Sequence, residues 1–141
     1  MPTTDDPIID AAPPATVWPA LRARDAHGLI RFLVDAFGFE ATVVYEDDGQ
    51  VTHAELAWPP GGRVMLGSTR DDGNDLAHRP GATACYVVTD DADRLFDRAV
   101  AAGAEIVRPL HDTDYGSRDF IAKDPEGNTW SFGTYRGHPR R

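Results

Sequence analysis

Residues 24–40 read RDAHGLIRFLVDAFGFE, and residues 90–105 read DDADRLFDRAVAAGAE. Each stretch is an aspartate, then an apolar stripe, then a glycine, with glutamate two residues on. In the first, Leu29, Phe32, Leu33, Ala36 and Phe37 fall at i, i+3, i+4, i+7 and i+8, one face of a helix that Asp25 caps and Gly38 stops. In the second, Asp90 or Asp91 opens the helix, Leu95, Phe96, Ala99 and Val100 stripe it, and Gly103 ends it. The likeness runs further: Asp25 recurs as Asp90, Gly38 as Gly103, Glu40 as Glu105, Pro60 as Pro125 and Gly62 as Gly127, an offset of roughly 65 residues, longer than a solenoid repeat and about the size of a half-domain. The chain is therefore expected to be a duplication, an α+β fold of two βαβββ modules in tandem. Their sheets are expected to curve into a cup with helices on its outer face.

Outward from the helices, strands are expected at residues 17–23, 41–46, 51–58 and 63–67, and again at 83–89, 106–110, 118–123 and 129–134. Asp47-Asp48-Gly49, Pro59-Pro60-Gly61-Gly62 and Asp124-Pro125-Glu126-Gly127-Asn128 are the turns. A single domain over 16–135 follows, with module one at 16–68, a polar linker at 69–82 and module two at 83–135. Residues 1–15 read as a flexible arm and 136–141 as a basic tail.

Composition excludes several functions. The 141 residues carry a formal charge of −9, with no basic face to bind nucleic acid. No apolar run approaches the ~20 residues of a membrane span. The opening MPTTDDPIIDAAPPAT is acidic and Pro-rich and does not read as a signal peptide. Cys85 is the only cysteine, so no disulfide forms within the chain and a reduced, cytoplasmic setting is expected. No P-loop, G-x-G-x-x-G, G-x-S-x-G or H-E-x-x-H occurs.

Residues 24–40, the HAEL of residues 53–56 and the DPEGNTWSFGTY of residues 124–135 together resemble the vicinal oxygen chelate superfamily, in its glyoxalase/bleomycin-resistance branch. That superfamily includes glyoxalase I, extradiol dioxygenases, and fosfomycin- and bleomycin-resistance proteins. The resemblance covers residues 17–135 and implies a homodimer that binds a small molecule. It also implies four matched metal slots, two on the first strands and two on the last, filled by His, Gln or Glu. Here those slots fall at Trp18 or Pro19, Thr83 or Ala84, Leu66 and Ser131. None of these is a competent ligand for a divalent cation, so no metal cofactor is expected at the usual site.

Candidate ligand-binding residues follow from strand alternation. His53 and Glu55 share one strand face, while Ala54, Leu56 and Trp58 share the apolar other, so the His–Glu pair is expected to face the cup. A hydrogen-bonded pair on a concave face is the simpler account of the same two residues. At the 65-residue offset Arg118 is the twin of His53, with Phe120 next along that face. An inward Arg118 could clamp a carboxylate, or could form a salt bridge to Glu55 or an aspartate. Trp18 and Tyr115 offer aromatic surface, and Ser131 a hydroxyl. Trp130, Phe132 and Cys85 read as core.

The leading expectation is a metal-free small-molecule binder, with an acidic chain suited to a cationic antibiotic or metabolite. The alternative is an enzyme: a metal-dependent lyase, isomerase or dioxygenase using a displaced site at His53 and Glu55, or a metal-free acid–base catalyst with His53 as base. A partner-binding structural module is a third reading.

Overall fold

The computed structural model describes residues 15–70 and 79–140. Most of the expected arm and linker, and the last residue, lie outside the described residues. The first module runs β1 (Ala20–Ala23), α1 (Ala26–Phe32), a π-helical turn (Leu33–Phe37), β2 (Glu40–Asp47), β3 (Gln50–Ala57) and β4 (Arg63–Ser68). The second runs β5 (Ala84–Val88), α2 (Ala92–Ala101), β6 (Glu105–Asp112), β7 (Arg118–Lys123) and β8 (Thr129–Gly133). Each module makes one four-stranded mixed sheet, ordered β1-β4-β3-β2 and β5-β8-β7-β6. The first strand of each lies parallel to the last, and the other pairings are antiparallel. This is the tandem βαβββ architecture that the repeat requires.

The helices begin where an aspartate can satisfy free N–H groups. Asp25 accepts from Gly28 N at 3.0 Å, and Asp91, not Asp90, accepts from Arg94 N at 3.1 Å. Gly38 takes the left-handed conformation (φ 87°) that closes the first helical segment, and its N–H reaches Val34 O at 3.1 Å. An extra residue is accommodated in the π-helical turn just before it, so thirteen steps separate Asp25 from Gly38 but twelve separate Asp91 from Gly103.

This extra residue changes the repeat. In space the two modules match at 66 residues over most of their length. Asp25 matches Asp91, and the turn opened by Trp58 matches the turn opened by Asp124. Trp58 N bonds Gly62 O at 3.0 Å, as Asp124 N bonds Asn128 O at 3.0 Å. The 65-residue offset holds only from the end of the helix into the first half of the next strand, at Gly38/Gly103, Glu40/Glu105 and Val43/Arg108. A register shift within β6, between Arg108 and His111, then restores 66, so Tyr45 opposite His53 matches His111 opposite Asp119.

The helix-bearing faces of both sheets contribute to one core. Leu21, Leu29, Leu33, Leu56 and Leu66 from the first module and Phe120, Ala122, Trp130 and Phe132 from the second belong to the same buried cluster. Phe37 meets Phe132 with ring centroids 4.6 Å apart, and Phe39 meets Trp130 at 5.6 Å. Polar ties reinforce the junction. Trp58 Nε1 donates to Val88 O at 3.0 Å, and Arg98 donates to Asp35 O and Val34 O at 2.9 Å each. The Glu126 carboxylate accepts from Arg24 N at 2.8 Å and Asp25 N at 2.9 Å, holding the second module's turn against the start of α1.

The DPEGN turn is organised by one buried carboxylate. Asp124, 5% exposed, accepts from Glu126 N, Asn128 N, Asn128 Nδ2 and Trp130 Nε1, all between 2.9 and 3.0 Å. Asn128 Oδ1 in turn accepts from Thr83 N at 3.1 Å, just ahead of β5. Asp124→Ala leaves buried N–H groups without partners, which costs about 3 kcal/mol or more. Urea denaturation followed by tryptophan fluorescence should read that loss, with Asp124→Asn recovering part of it.

Candidate functional site

The sheet faces opposite the core carry the candidate chemistry. On β3, Ala54 and Leu56 are fully buried, and His53 and Glu55 point to the other side, as the alternation predicts. His53 Nε2 lies 2.8 Å from Glu55 Oε2. Tyr45, directly across on β2, stacks on the His53 ring with centroids 6.4 Å apart. Arg63 Nη1 reaches Glu55 Oε1 at 3.9 Å, and its guanidinium carbon sits 5.5 Å from the centre of the Trp18 ring. Trp18 Nε1 donates to Ala15 O at 2.9 Å. Four of the first module's polar-face groups, Trp18, His53, Glu55 and Arg63, therefore form a connected patch.

The second module overturns the inward direction expected of Arg118 and Phe120, and for Arg118 it shows the alternative, a salt bridge to an aspartate. Both lie on the helix side of β7. Phe120 is fully buried, stacking on Phe132 at 5.1 Å and meeting Phe96 edge-on at 5.3 Å. Arg118 donates to Asp93 of α2 at 2.9 Å and to Asp112 at 3.3 Å. Hydrogen bonding to Asp93, then the charges of Asp93 and Asp112, hold its guanidinium above its usual range. The physical reason is the offset: at 66 residues the twin of His53 is Asp119, and that of Glu55 is Ile121. A slip of one residue moves every side chain of a strand to the opposite face. The last-strand slot of module one shifts in the same way, from buried Leu66 to Met65, which is paired with Glu55 and Ala20.

Asp119, Ile121 and Ser131 instead line a cavity of 470 Å³ together with Arg108, His111, Asp112, Asp114 and Tyr115. Asp119 is 7% exposed. Its carboxylate accepts from Ser117 Oγ and, at 3.4 Å, from the Tyr115 hydroxyl. Gly133, paired with Asp119 across the ladder, makes room for this: a Cβ there would lie 2.6 Å from the Tyr86 hydroxyl and closer still to the Asp119 carboxylate. The Tyr86 hydroxyl donates to Tyr135 O at 2.8 Å, and the Tyr135 ring meets Tyr115 edge-on at 5.5 Å. Of the residues proposed from sequence, Ser131 and Tyr115 meet in this cavity, while Trp18, His53 and Glu55 belong to the first-module patch. Asp119, Tyr86 and Arg63 were missed. The buried Phe120 and Ala122 within β7 were the available signal for Asp119, because they send their neighbours the other way.

The donor set speaks directly to metal binding. Ala20 and Tyr86 stand beside Met65 and Ser131 at the centres of the polar faces, and Trp18 and Ala84 precede them by two residues. None carries an imidazole or carboxylate. Among the described residues no group of three or more His, Cys, Asp or Glu is placed to hold a metal ion. The chain thus departs from a chelating pattern at every expected position.

A profile of the family described as the Glyoxalase/Bleomycin resistance protein/Dioxygenase superfamily matches residues 16–132. An uncharacterized protein of Mycobacterium tuberculosis strain H37Rv is 34% identical over 125 residues, which is 82% of this chain and 71% of the relative. The anthracycline biosynthesis protein DnrV of Streptomyces peucetius is 29% identical over 140 residues, 89% of this chain and 50% of that protein. Among solved structures, TioX from Micromonospora sp. ML1 superposes with a TM-score of 0.74 at 32% identity, covering 84% of this chain and 97% of TioX.

Burial, with the nearby Asp119 and Tyr115 charges as smaller causes, pushes the Tyr86 phenol above its usual range, partly offset by its hydrogen bonds. Its neutral form is the one the fold favours, so its contribution to stability is intact at neutral pH and is lost as pH rises through the raised value. In a phenolate absorbance titration of the four tyrosines, one should ionise late, above about pH 10. Tyr86→Phe should remove that late step.

Proposed function

Because the chain belongs to the glyoxalase/bleomycin resistance protein/dioxygenase superfamily, we propose that it binds a small organic molecule without a metal ion. In this reading a cationic group of the ligand sits in the second-module cavity. The observation that carries the reading is Asp119. It is a nearly buried carboxylate beside a 470 Å³ cavity, and its hydrogen-bond partners are hydroxyls rather than cations. Three carboxylates and one arginine line that cavity, with His111 beside them. The Tyr115 ring adds a face for a cation at about 6 Å or less. The size suits a drug-like molecule, whose pockets run about 300–1,000 Å³. The formal charge of −9 would steer a cation toward the protein. DnrV's name ties one relative to anthracycline biosynthesis, which favours an aromatic natural product bearing an amine.

Calorimetric titration with bleomycin, an amino-sugar anthracycline and a polyamine tests this. At least one should bind, and Asp119→Asn should weaken it about tenfold or more by removing the charge-assisted contact. Silence across the panel would remove the cationic-ligand reading.

The His53–Glu55 contact favours one second reading, an acid–base enzyme in which Glu55 orients the His53 ring. A divalent metal does not fit the same pair: it offers two donors, with the Arg63 guanidinium 3.9 Å from Glu55. Elemental analysis of protein purified without chelator should find substoichiometric Ni, Zn, Mn and Fe. A stoichiometric metal lost in His53→Ala would reverse the assignment in favour of the metal enzyme.

A further inference from the structure

A second cavity, of 380 Å³, lies where the modules meet and shares no lining residue with the acidic one. Its body is apolar: Phe39, Trp58 and Val64 from the first module face Val87 and Trp130 from the second. Both indole N–H groups are already engaged, Trp58 with Val88 O and Trp130 with Asp124. Trp130 is fully buried and backs the wall, so the half-buried Trp58 offers the ring surface and no free donor. Cys85 also lines it, and burial first, then the charge of Asp124, pushes its thiol up, so it stays neutral.

The charged lining is of one sign. Arg63 and Arg136 are present and no carboxylate is. Their side chains are 40% and 61% exposed, which puts them at the mouth, Arg63 from the first module and Arg136 from the tail just beyond the second. Each has a carboxylate partner outside the cavity: Glu55 at 3.9 Å from Arg63, and Asp90 against Arg136. Exposed pairs of this kind are worth little, so a ligand anion can share or replace them at small cost. In a chain with a formal charge of −9, a cavity walled by aromatic rings and rimmed only by guanidinium groups selects against the cation favoured by the other site.

We propose that this intermodule cavity is a separate binding site for an aromatic or similarly apolar organic anion, its ring system against the partly exposed Trp58 ring and its carboxylate or sulfonate between Arg63 and Arg136. The proposal is independent of the cationic reading. Each arginine contributes a charge-assisted contact, so losing one weakens binding about tenfold.

The probe is 8-anilinonaphthalene-1-sulfonate added to the full-length folded protein, with thioflavin T as its aromatic cation counterpart. Two signals are read: dye fluorescence, and the rate at which N-ethylmaleimide alkylates Cys85, the chain's single cysteine. The sulfonate should bind at one equivalent and slow alkylation severalfold, while thioflavin T leaves the rate unchanged. Arg63→Gln and Arg136→Gln should each weaken sulfonate binding about tenfold, with unchanged circular dichroism. An alkylation rate indifferent to saturating sulfonate would overturn the site. Full affinity in the double arginine variant, or equal protection by thioflavin T, would overturn the assigned ligand class. Cation binding at Asp119 is scored separately by calorimetry, so failure at one cavity is distinguishable from failure at the other.

Discussion

The hydrogen bond from the Trp130 indole to the Asp124 carboxylate is the interaction on which most of the second module depends. A fully buried indole needs an acceptor, and a buried carboxylate needs several donors. One contact meets both needs, and the backbone N–H groups of Glu126 and Asn128 with the Asn128 side-chain amide complete the set. With the turn locked, Asn128 can hold the chain just ahead of β5, and Glu126 can reach across to the first turn of the other module. Trp130 then presents its ring to Phe37 and Phe39. The charge of Asp124 is also felt at Cys85, where it adds to burial in keeping the thiol protonated. Local turn chemistry, module docking and the lining of the intermodule cavity thus share a single carboxylate.

Duplication sets up two copies of every position, and divergence has made them chemically unequal. The matched pair His53 and Asp119 shows this. In the first module the imidazole is held by Glu55, with Arg63 close by, so the patch is internally compensated. In the second, Asp119 accepts from hydroxyls, and Asp112 and Asp114 outnumber the single arginine that shares its cavity. At the junction the balance reverses, with arginines at the mouth and aromatic rings within. A fold with no metal-binding constellation among its described residues can still discriminate ligands, because charge sign and ring surface differ from one concavity to the next.

The two helices, all eight strands and the apolar faces were legible in the sequence, because hydrophobic period and turn chemistry are local signals. Asp25 as a cap, Gly38 as a stop and the inward direction of Ala54 and Leu56 were read from neighbours a few residues away. The side of β7 that faces the cavity was misread, because it was inferred from the partner module across a single assumed offset. One residue taken up in the π-helical turn before Gly38 leaves the helix stripe intact and still breaks that correspondence. A register shift within β6, between Arg108 and His111, repairs it before β7 begins, so Asp119, not Arg118, matches His53.

By itself the sequence determined that the chain is a tandem of βαβββ modules. That follows from residue types at given spacings and does not depend on long-range geometry. Only the tertiary structure decided which groups meet. It carried Arg118 to Asp93, brought Asp119 into the acidic cavity, and joined Arg63 and Arg136 at one mouth although 73 positions separate them. The physical reason is that a strand shows its side chains alternately to two faces. A register change of one residue, invisible to composition and nearly invisible to periodicity, therefore reassigns core and site together.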